Sequence, residues 1–251
     1  MRAAGVLRSV HIGTDLDSSQ KSLSLARNWG NDTWCTAGFH PTGCQDLPDN
    51  SAPMYVERLK QLIQSNRDKV VGIGETGLDY FHTTRAGREA QKQAQRAFFS
   101  AHADLALRLD LPLIIHTRAA SSDTLALIKE FGIRRAVIHC FSEDQAFVRE
   151  LQAWSSEIYF SFSGILTYKK SEAVQQVART LALDRILVET DSPFLVPQAV
   201  QESYTTNEPA FTRHVMDFLK TLRIEPGGVV EQTIWENSNR FFGIAESQSL
   251  P

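Results

Sequence analysis

The sequence predicts an α/β chain built on a parallel sheet, and three observations carry that expectation. Seven short, β-branched apolar runs recur along the chain, segments with helical spacing separate them, and no internal repeat or low-complexity tract interrupts the series. The runs are "VLRSVHIGT" (6–14), "TWCTAGF" (33–39), "KVVGIGE" (69–75), "PLIIHT" (112–117), "AVIHCF" (136–141), "IYFSFSG" (158–164) and "RILVETD" (185–191). Each is short, rich in Val, Ile or aromatic residues, and bounded by polar or turn-forming residues. In the long intervening segment "REAQKQAQRAFFSAHADLALRLD", Phe98, Ala101, Leu105 and Leu109 recur at helical spacing and predict the buried face of a helix. Alternation of this kind reads as βαβ units. An open doubly wound sheet would carry a glycine-rich phosphate loop after its first strand, and "HIGTDLDSS" is not one. The expectation is therefore a TIM-type (β/α)8 barrel with seven strands evident. "RAAGV" at the start reads as the end of a helix stopped at Gly5, so the first βα unit is expected to be missing.

Length and composition bound the rest. A chain of 251 residues can bury a substantial core, and with no linker in view it reads as a single domain, 1–251, with 245–251 a flexible tail. A net charge of −3 gives no global attraction to nucleic acid, so any such binding must be local. Three cysteines, Cys35, Cys44 and Cys140, form no C-x-x-C pair, which argues against a disulfide framework and a structural zinc site. No 18-residue apolar run is present and the amino terminus lacks the apolar core of a signal peptide. The expected setting is cytoplasmic, with no membrane partner, as a monomer or weak dimer.

The chemistry concentrates where the strands end. "VVGIGETGLDYF" begins as a buried strand and then places a carboxylate, Glu75, at the end of the apolar run, where it is costly unless paired or coordinated. His116 closes "PLIIH", His139 sits in "AVIHCF" and Asp191 closes "RILVETD". Side chains alternate along a strand, so Glu75 shares a face with Val71 and Ile73, and His116 with Ile114. The carboxyl ends of barrel strands form the mouth of the active site. Two imidazoles and two carboxylates converging there suit a divalent cation. Alone, a strand histidine is more often a hydrogen-bonded core residue, and Asp191 before "SP" could cap a helix. Four such residues at four strand ends point jointly to a metal.

The motifs "GIGETGLDYF", "PLIIHTRAA", "VIHCFSED", "YFSFSGILTY", "LVETDSPFL", "TNEPAF", "GFHP" (38–41) and "ENSNRFFGI" run in order along nearly the whole chain, which resembles the TatD family of metal-dependent deoxyribonucleases. The resemblance implies a metallo-dependent hydrolase barrel binding Mg, Mn or Zn, one or two ions per chain. Glu75 would bridge metals, His116 and His139 would bind one of them, and Asp191 would bind the other and help activate water. His40 and Arg118 would hold a phosphate, Asn207 would shape the wall of the substrate pocket, and Glu189 would support the ligands from behind. The substrate would be DNA, possibly RNA in its place, trimmed from the end of a single strand. The chain departs from the family pattern in having no His-x-His, in Ala119 where an Asp follows "HTR", and in Thr205 and Thr206 before Asn-x-Pro. An amidohydrolase or esterase of the same fold, for instance one acting on aminoacyl-tRNA, would use the same activated water. A non-catalytic, degenerate or truncated paralogue is the reading from outside enzymology.

Overall fold

The computed structural model describes residues 1–245. In chain order the elements are β1 (Ser9–His11), α1 (Leu16–Asn28), β2 (Thr33–Ala37), α2 (Pro41–Cys44), α3 (Ala52–Gln64), β3 (Val70–Asp79), α4 (Arg88–Leu109), β4 (Leu113–Arg118), α5 (Ser121–Glu130) and β5 (Ala136–Ile138). There follow α6 (Gln145–Trp154), β6 (Ile158–Phe162), α7 (Glu172–Thr180), β7 (Ile186–Val188), α8 (Thr212–Leu222) and α9 (Gly227–Phe242). The seven strands hydrogen-bond in chain order, β1 to β7, and the pairs β1–β2, β2–β3, β3–β4 and β6–β7 are parallel. The α/β class, the seven strands and their alternation with helices are as the sequence predicts. The tail expected from residue 245 falls, beyond Ala245, outside the described residues.

The chain divides into two compact units, and β5 crosses from one into the other. One comprises Arg8–Val137 with Trp154–Ser156; the second comprises Met1–Leu7, Ile138–Ala153 and the chain from Glu157 onward. No helix among the described residues is long and apolar enough to cross a membrane.

In the first unit β3 is the central element. All ten of its residues are buried, and it runs to Asp79, four residues beyond the predicted end at Glu75. It continues because Thr76, Gly77, Leu78 and Asp79 pair with Ile115, His116, Thr117 and Arg118 of β4. Ile73 pairs with Leu113 and Thr76 with Ile115, so three steps on β3 face two on β4. That bulge lies at Gly74–Glu75 and interrupts the simple alternation of faces. Gly77 shows why glycine recurs here. Its φ is +143°, and a Cβ on it would lie 1.9 Å from the carbonyl oxygen of His116.

β1 is shorter than predicted. After His11 the chain turns, and the side chain of Asp15 caps α1 by accepting from Ser18 N–H at 2.6 Å, while Ser18 Oγ accepts from Asp15 N–H at 2.8 Å. The turn is structural for its neighbours as well. Gly13 O accepts from Glu75 N–H at 2.8 Å and Thr14 O accepts from His40 N–H at 2.8 Å.

Helix α4 packs on β3 with a mixed face. Its buried stripe contains Ala94, Phe98, Phe99, Ala103, Leu105 and Ala106, together with the polar Gln91, Gln95 and His102. Ala101 and Leu109, expected within the stripe, sit at its margin because the buried line runs through 98/99, 102/103 and 105/106. Gln95 clamps the backbone of Asp79: its Oε1 accepts from Asp79 N–H at 2.8 Å and its Nε2 donates to Asp79 O at 2.9 Å. His102 is fully buried, with Nε2 accepting from Phe39 N–H at 3.1 Å and Nδ1 donating to Phe98 O at 2.6 Å.

In the second unit the core is aromatic and aliphatic. Phe141 packs edge-on to Phe160 and Phe162, and Tyr159 packs on Phe241 of α9. Asn237 of α9, within the motif "ENSNRFFGI", is buried and donates its amide to Leu183 O and Ile186 O at 2.9 Å each, which seats the start of β7. The three cysteines are in no disulfide. Burial pushes each thiol up to about 12: Cys35, Cys44 and Cys140.

Two measurable consequences follow from this packing. Gly77→Ala is expected to destabilise the fold by at least about 2 kcal/mol, since the new methyl must displace β4 backbone rather than a mobile side chain; urea denaturation measures the loss. His102 supplies a pH signature. Burial holds its pKa down to about 4, against the opposing pull of the Phe98 carbonyl. Between its ordinary value of 6.5 and 4 the unfolded chain takes up a proton that the folded chain refuses. The neutral imidazole's contribution is thus complete above pH 6.5 and lost as the pH falls through this window. Lowering the pH from 7 to 4.5 should cost the wild type about 2–3 kcal/mol more than His102→Gln, compared by urea denaturation at both pH values.

Candidate metal centre

The first unit gathers three residues drawn from three elements. His40 precedes α2, Glu75 lies in the β3 bulge and His116 lies in β4. One donor atom from each falls within 4.8 Å of the others. Glu75 is 6% exposed. Its Oε1 lies 3.3 Å from His40 Nε2 and 3.2 Å from His116 Nδ1. The imidazole centroids are 4.6 Å apart, with the rings edge to face.

The far side of each ring is also engaged, and this decides which nitrogen is offered. Asp79 is 1% exposed and its Oδ2 lies 3.1 Å from His116 Nε2. The same oxygen lies 2.8 Å from His82 Nδ1, and Oδ1 accepts from His82 N–H at 2.9 Å. Burial alone would raise the Asp79 pKa, but the hydrogen bonds from His116 and His82 outweigh it and hold the carboxyl well below the usual range. An ionised carboxylate only accepts, so His116 carries its proton on Nε2 and presents the Nδ1 lone pair on the Glu75 side. On His40, Nδ1 accepts from Thr42 N–H at 3.2 Å and lies 2.7 Å from Thr42 Oγ1. Nδ1 therefore holds the lone pair, and the hydroxyl can donate to it. In the neutral ring the proton sits on Nε2, facing Glu75 Oε1 at 3.3 Å; a cation at Nε2 would require the other tautomer. One imidazole nitrogen oriented for ligation, a second imidazole beside it and a buried carboxylate fit a divalent ion by their chemistry.

The second unit holds His139, Glu189, Asp191 and Asn207, and the structure places the first three just past strand ends. β5 stops at Ile138, so His139 follows it, and β7 stops at Val188, so Glu189 and Asp191 lie in the loop beyond. Glu189 Oε1 lies 2.9 Å from His139 Nδ1 and accepts from Cys140 N–H at 2.9 Å. Glu189 thus does for His139 what Asp79 does for His116, orienting the ring through Nδ1. Asp191 has φ of +60° in a turn closed by Phe194 N–H to Asp191 O at 2.9 Å; it caps no helix. Asn207, expected among the substrate-binding residues, is buried, and its Nδ2 donates to Thr190 O, Phe194 O and Leu195 O at 2.8, 2.7 and 3.2 Å. Its amide is taken up in stapling the loop that carries Asp191.

Arg118, at the end of β4, is exposed, and its guanidinium lies 4.1 Å from the centroid of Phe81. It makes no ion pair among the described residues. His40, placed by sequence reasoning on the substrate side, is grouped by the structure with Glu75 and His116. Asp79, Gln95 and His102 escaped the sequence reading. The only signal for Asp79 was its spacing of four from Glu75 in "GETGLD".

Comparison with known proteins gives the family. The family model for TatD related DNase matches residues 1–243. YcfH of Escherichia coli strain K12, described as an uncharacterized metal-dependent hydrolase, is 36% identical over 215 residues, covering 85% of this chain and 75% of its own. The 3'-5' ssDNA/RNA exonuclease TatD of Erwinia tasmaniensis is 30% identical over 250 residues, covering 97% of this chain and 91% of its own. Among solved structures, YJJV, a TatD homolog from Escherichia coli K12, matches with a TM-score of 0.84 at 25% identity, over 96% of this chain and 88% of that one. Parallel strands alternating with helices, with imidazoles and carboxylates gathered on and just beyond them, are the architecture of a metal-dependent hydrolase of the TIM-barrel type. The chain belongs to the TatD family.

Asp79→Asn should weaken divalent-ion binding tenfold to a hundredfold, because the uncharged amide no longer fixes the proton on His116 Nε2. Calorimetric titration with Mn²⁺ or Zn²⁺ measures this, with circular dichroism to confirm that the variant is folded.

Proposed function

We propose that this protein is a metal-dependent phosphodiesterase that trims single-stranded DNA, and RNA of similar form, from an end. The observation that carries the reading is the His40–Glu75–His116 cluster, two imidazoles around a buried carboxylate. The exposed Arg118 and the nuclease name of the Erwinia relative point the same way. His40, Glu75 and His116 would hold a divalent cation, which lowers the pKa of bound water toward neutrality and offsets the charge of a phosphodiester. Asp79 keeps His116 in the ligating tautomer, and Arg118 can take a phosphate oxygen pair through its planar fork. From the sequence pattern, His139 is assigned as a further ligand, and Asp191 as the acceptor of the proton released when water attacks phosphorus. We read the chain as one functional domain. Its three cysteines, none in a disulfide, suit a cytoplasmic setting.

The test is a labelled single-stranded oligonucleotide incubated with purified protein. Strong chelation should abolish hydrolysis, and Mg²⁺ or Mn²⁺ should restore it. Glu75→Gln and His116→Ala should each lower the rate at least about a hundredfold. Full activity in chelator would refute the reading. Hydrolysis of an aminoacyl ester, with the oligonucleotide left intact, would move the assignment to carbonyl chemistry.

A further inference from the structure

Immediately after β3 the chain presents a large aromatic to solvent. Phe81 is 62% exposed. A single exposed apolar residue is ordinary on a protein surface, so its surroundings must decide whether it matters. Three features set this one apart.

The first is the cation above it. The Arg118 guanidinium sits 4.1 Å from the ring centroid, within cation–π range. The segment "FHTTRAGR" from Phe81 to Arg88 adds Arg85 and Arg88, both exposed, and contains no acidic residue. Arg85, Arg88 and Arg118 make no ion pair among the described residues.

The second is the tie to the metal centre. The ring of His82 meets Phe81 edge-on at 5.0 Å. His82 Nδ1 lies 2.8 Å from Asp79 Oδ2, the same oxygen that lies 3.1 Å from His116 Nε2. One carboxylate oxygen therefore links the aromatic platform to a metal-donor imidazole.

The third is rigidity. Asp79 and Arg118 are register partners in the β3–β4 pair, and Tyr80 N–H donates to Arg118 O at 3.0 Å. Gln95 holds the Asp79 backbone from α4. Phe81 and Arg118 thus extend from two paired strands rather than from an unanchored loop.

An exposed ring beside an unpaired guanidinium, in a loop of positive charge, matches single-stranded nucleic acid. An unpaired base has a π face to stack and its phosphate has a charge to place. We propose that Phe81 and Arg118 form a stacking platform for an unpaired nucleobase flanking the phosphodiester to be cut. The proposal rests on the nuclease reading above and names the part of the substrate that this chain grips. Phe81 takes the base and Arg118 the adjoining phosphate. A base still paired in a duplex cannot reach the ring, so the platform selects for single strands.

The experiment uses the full chain with Mg²⁺ and a single-stranded phosphorothioate oligonucleotide carrying 2-aminopurine, whose fluorescence is quenched by stacking. A second oligonucleotide carries an abasic tetrahydrofuran unit at the same position. Phe81→Ala should weaken binding of the first about tenfold and remove the quenching, whereas Phe81→Trp should retain both. The abasic unit should cost the wild type about tenfold and cost Phe81→Ala little further. Arg118→Ala should reduce the dependence of binding on salt; Phe81→Ala should leave that dependence unchanged. If the wild type binds and cuts single strands while Phe81→Ala keeps full affinity and quenching, the platform is refuted and the nuclease reading stands. A wild type that neither binds nor cuts them overturns both.

Discussion

Two carboxylates buried on one strand, Glu75 and Asp79, set the conditions the first unit must satisfy. Each would cost several kcal/mol if left in a dry interior without partners. The fold meets this by surrounding them with imidazoles: His40 and His116 face Glu75, while His116 and His82 face Asp79. His116 is shared, one nitrogen to each carboxylate, so the two acids are coupled through a single ring. Glu75 and Asp79 can therefore have different tasks despite their similarity. Asp79 is closed off by two imidazoles and the backbone N–H of His82, and Glu75 faces the Nδ1 lone pair of His116.

The supports for this arrangement are backbone supports. The turn after β1 accepts from the N–H groups of Glu75 and His40 through successive carbonyls, Gly13 and Thr14. From the opposite side α4 reaches Asp79 through Gln95 and the residue before His40 through His102. A helix that buries glutamines and a histidine gives up some apolar packing. In exchange it fixes main-chain atoms next to functional side chains more rigidly than apolar contact could, since hydrogen bonds are directional. The second unit repeats the device, with Glu189 orienting His139 and Asn207 stapling the loop that contains Asp191.

What the sequence disclosed follows from this division of labour. Strands and their order are set by runs of β-branched residues, a signal that is local, and all seven were legible. The residues Glu75, His116, His139 and Asp191 stood out because polar groups at the ends of apolar runs demand a reason. The extension of β3 to Asp79 was hidden by the glycines of "GIGETGLD", which weaken a strand signal although close approach to β4 requires one of them, Gly77. Gln95 and His102 were hidden because helical spacing ranks positions by hydrophobicity, and a polar residue on the inner face reads as outer. His40 belongs with Glu75 only through the folded path of the chain, which no local spacing encodes. The bulge at Gly74–Glu75 is also silent in sequence, since one additional residue leaves composition unchanged.

The buried thiols have a consequence for metal choice. With its pKa pushed up to about 12 by burial, each of Cys35, Cys44 and Cys140 keeps its proton at neutral pH. A soft cation such as Cd²⁺ or Cu⁺ that took one of these sulfurs would have to displace its proton. Nitrogen and oxygen donors prefer the borderline and hard divalent metals. Keeping sulfur protonated thus adds the cost of a displaced proton to any soft metal bound at these three positions.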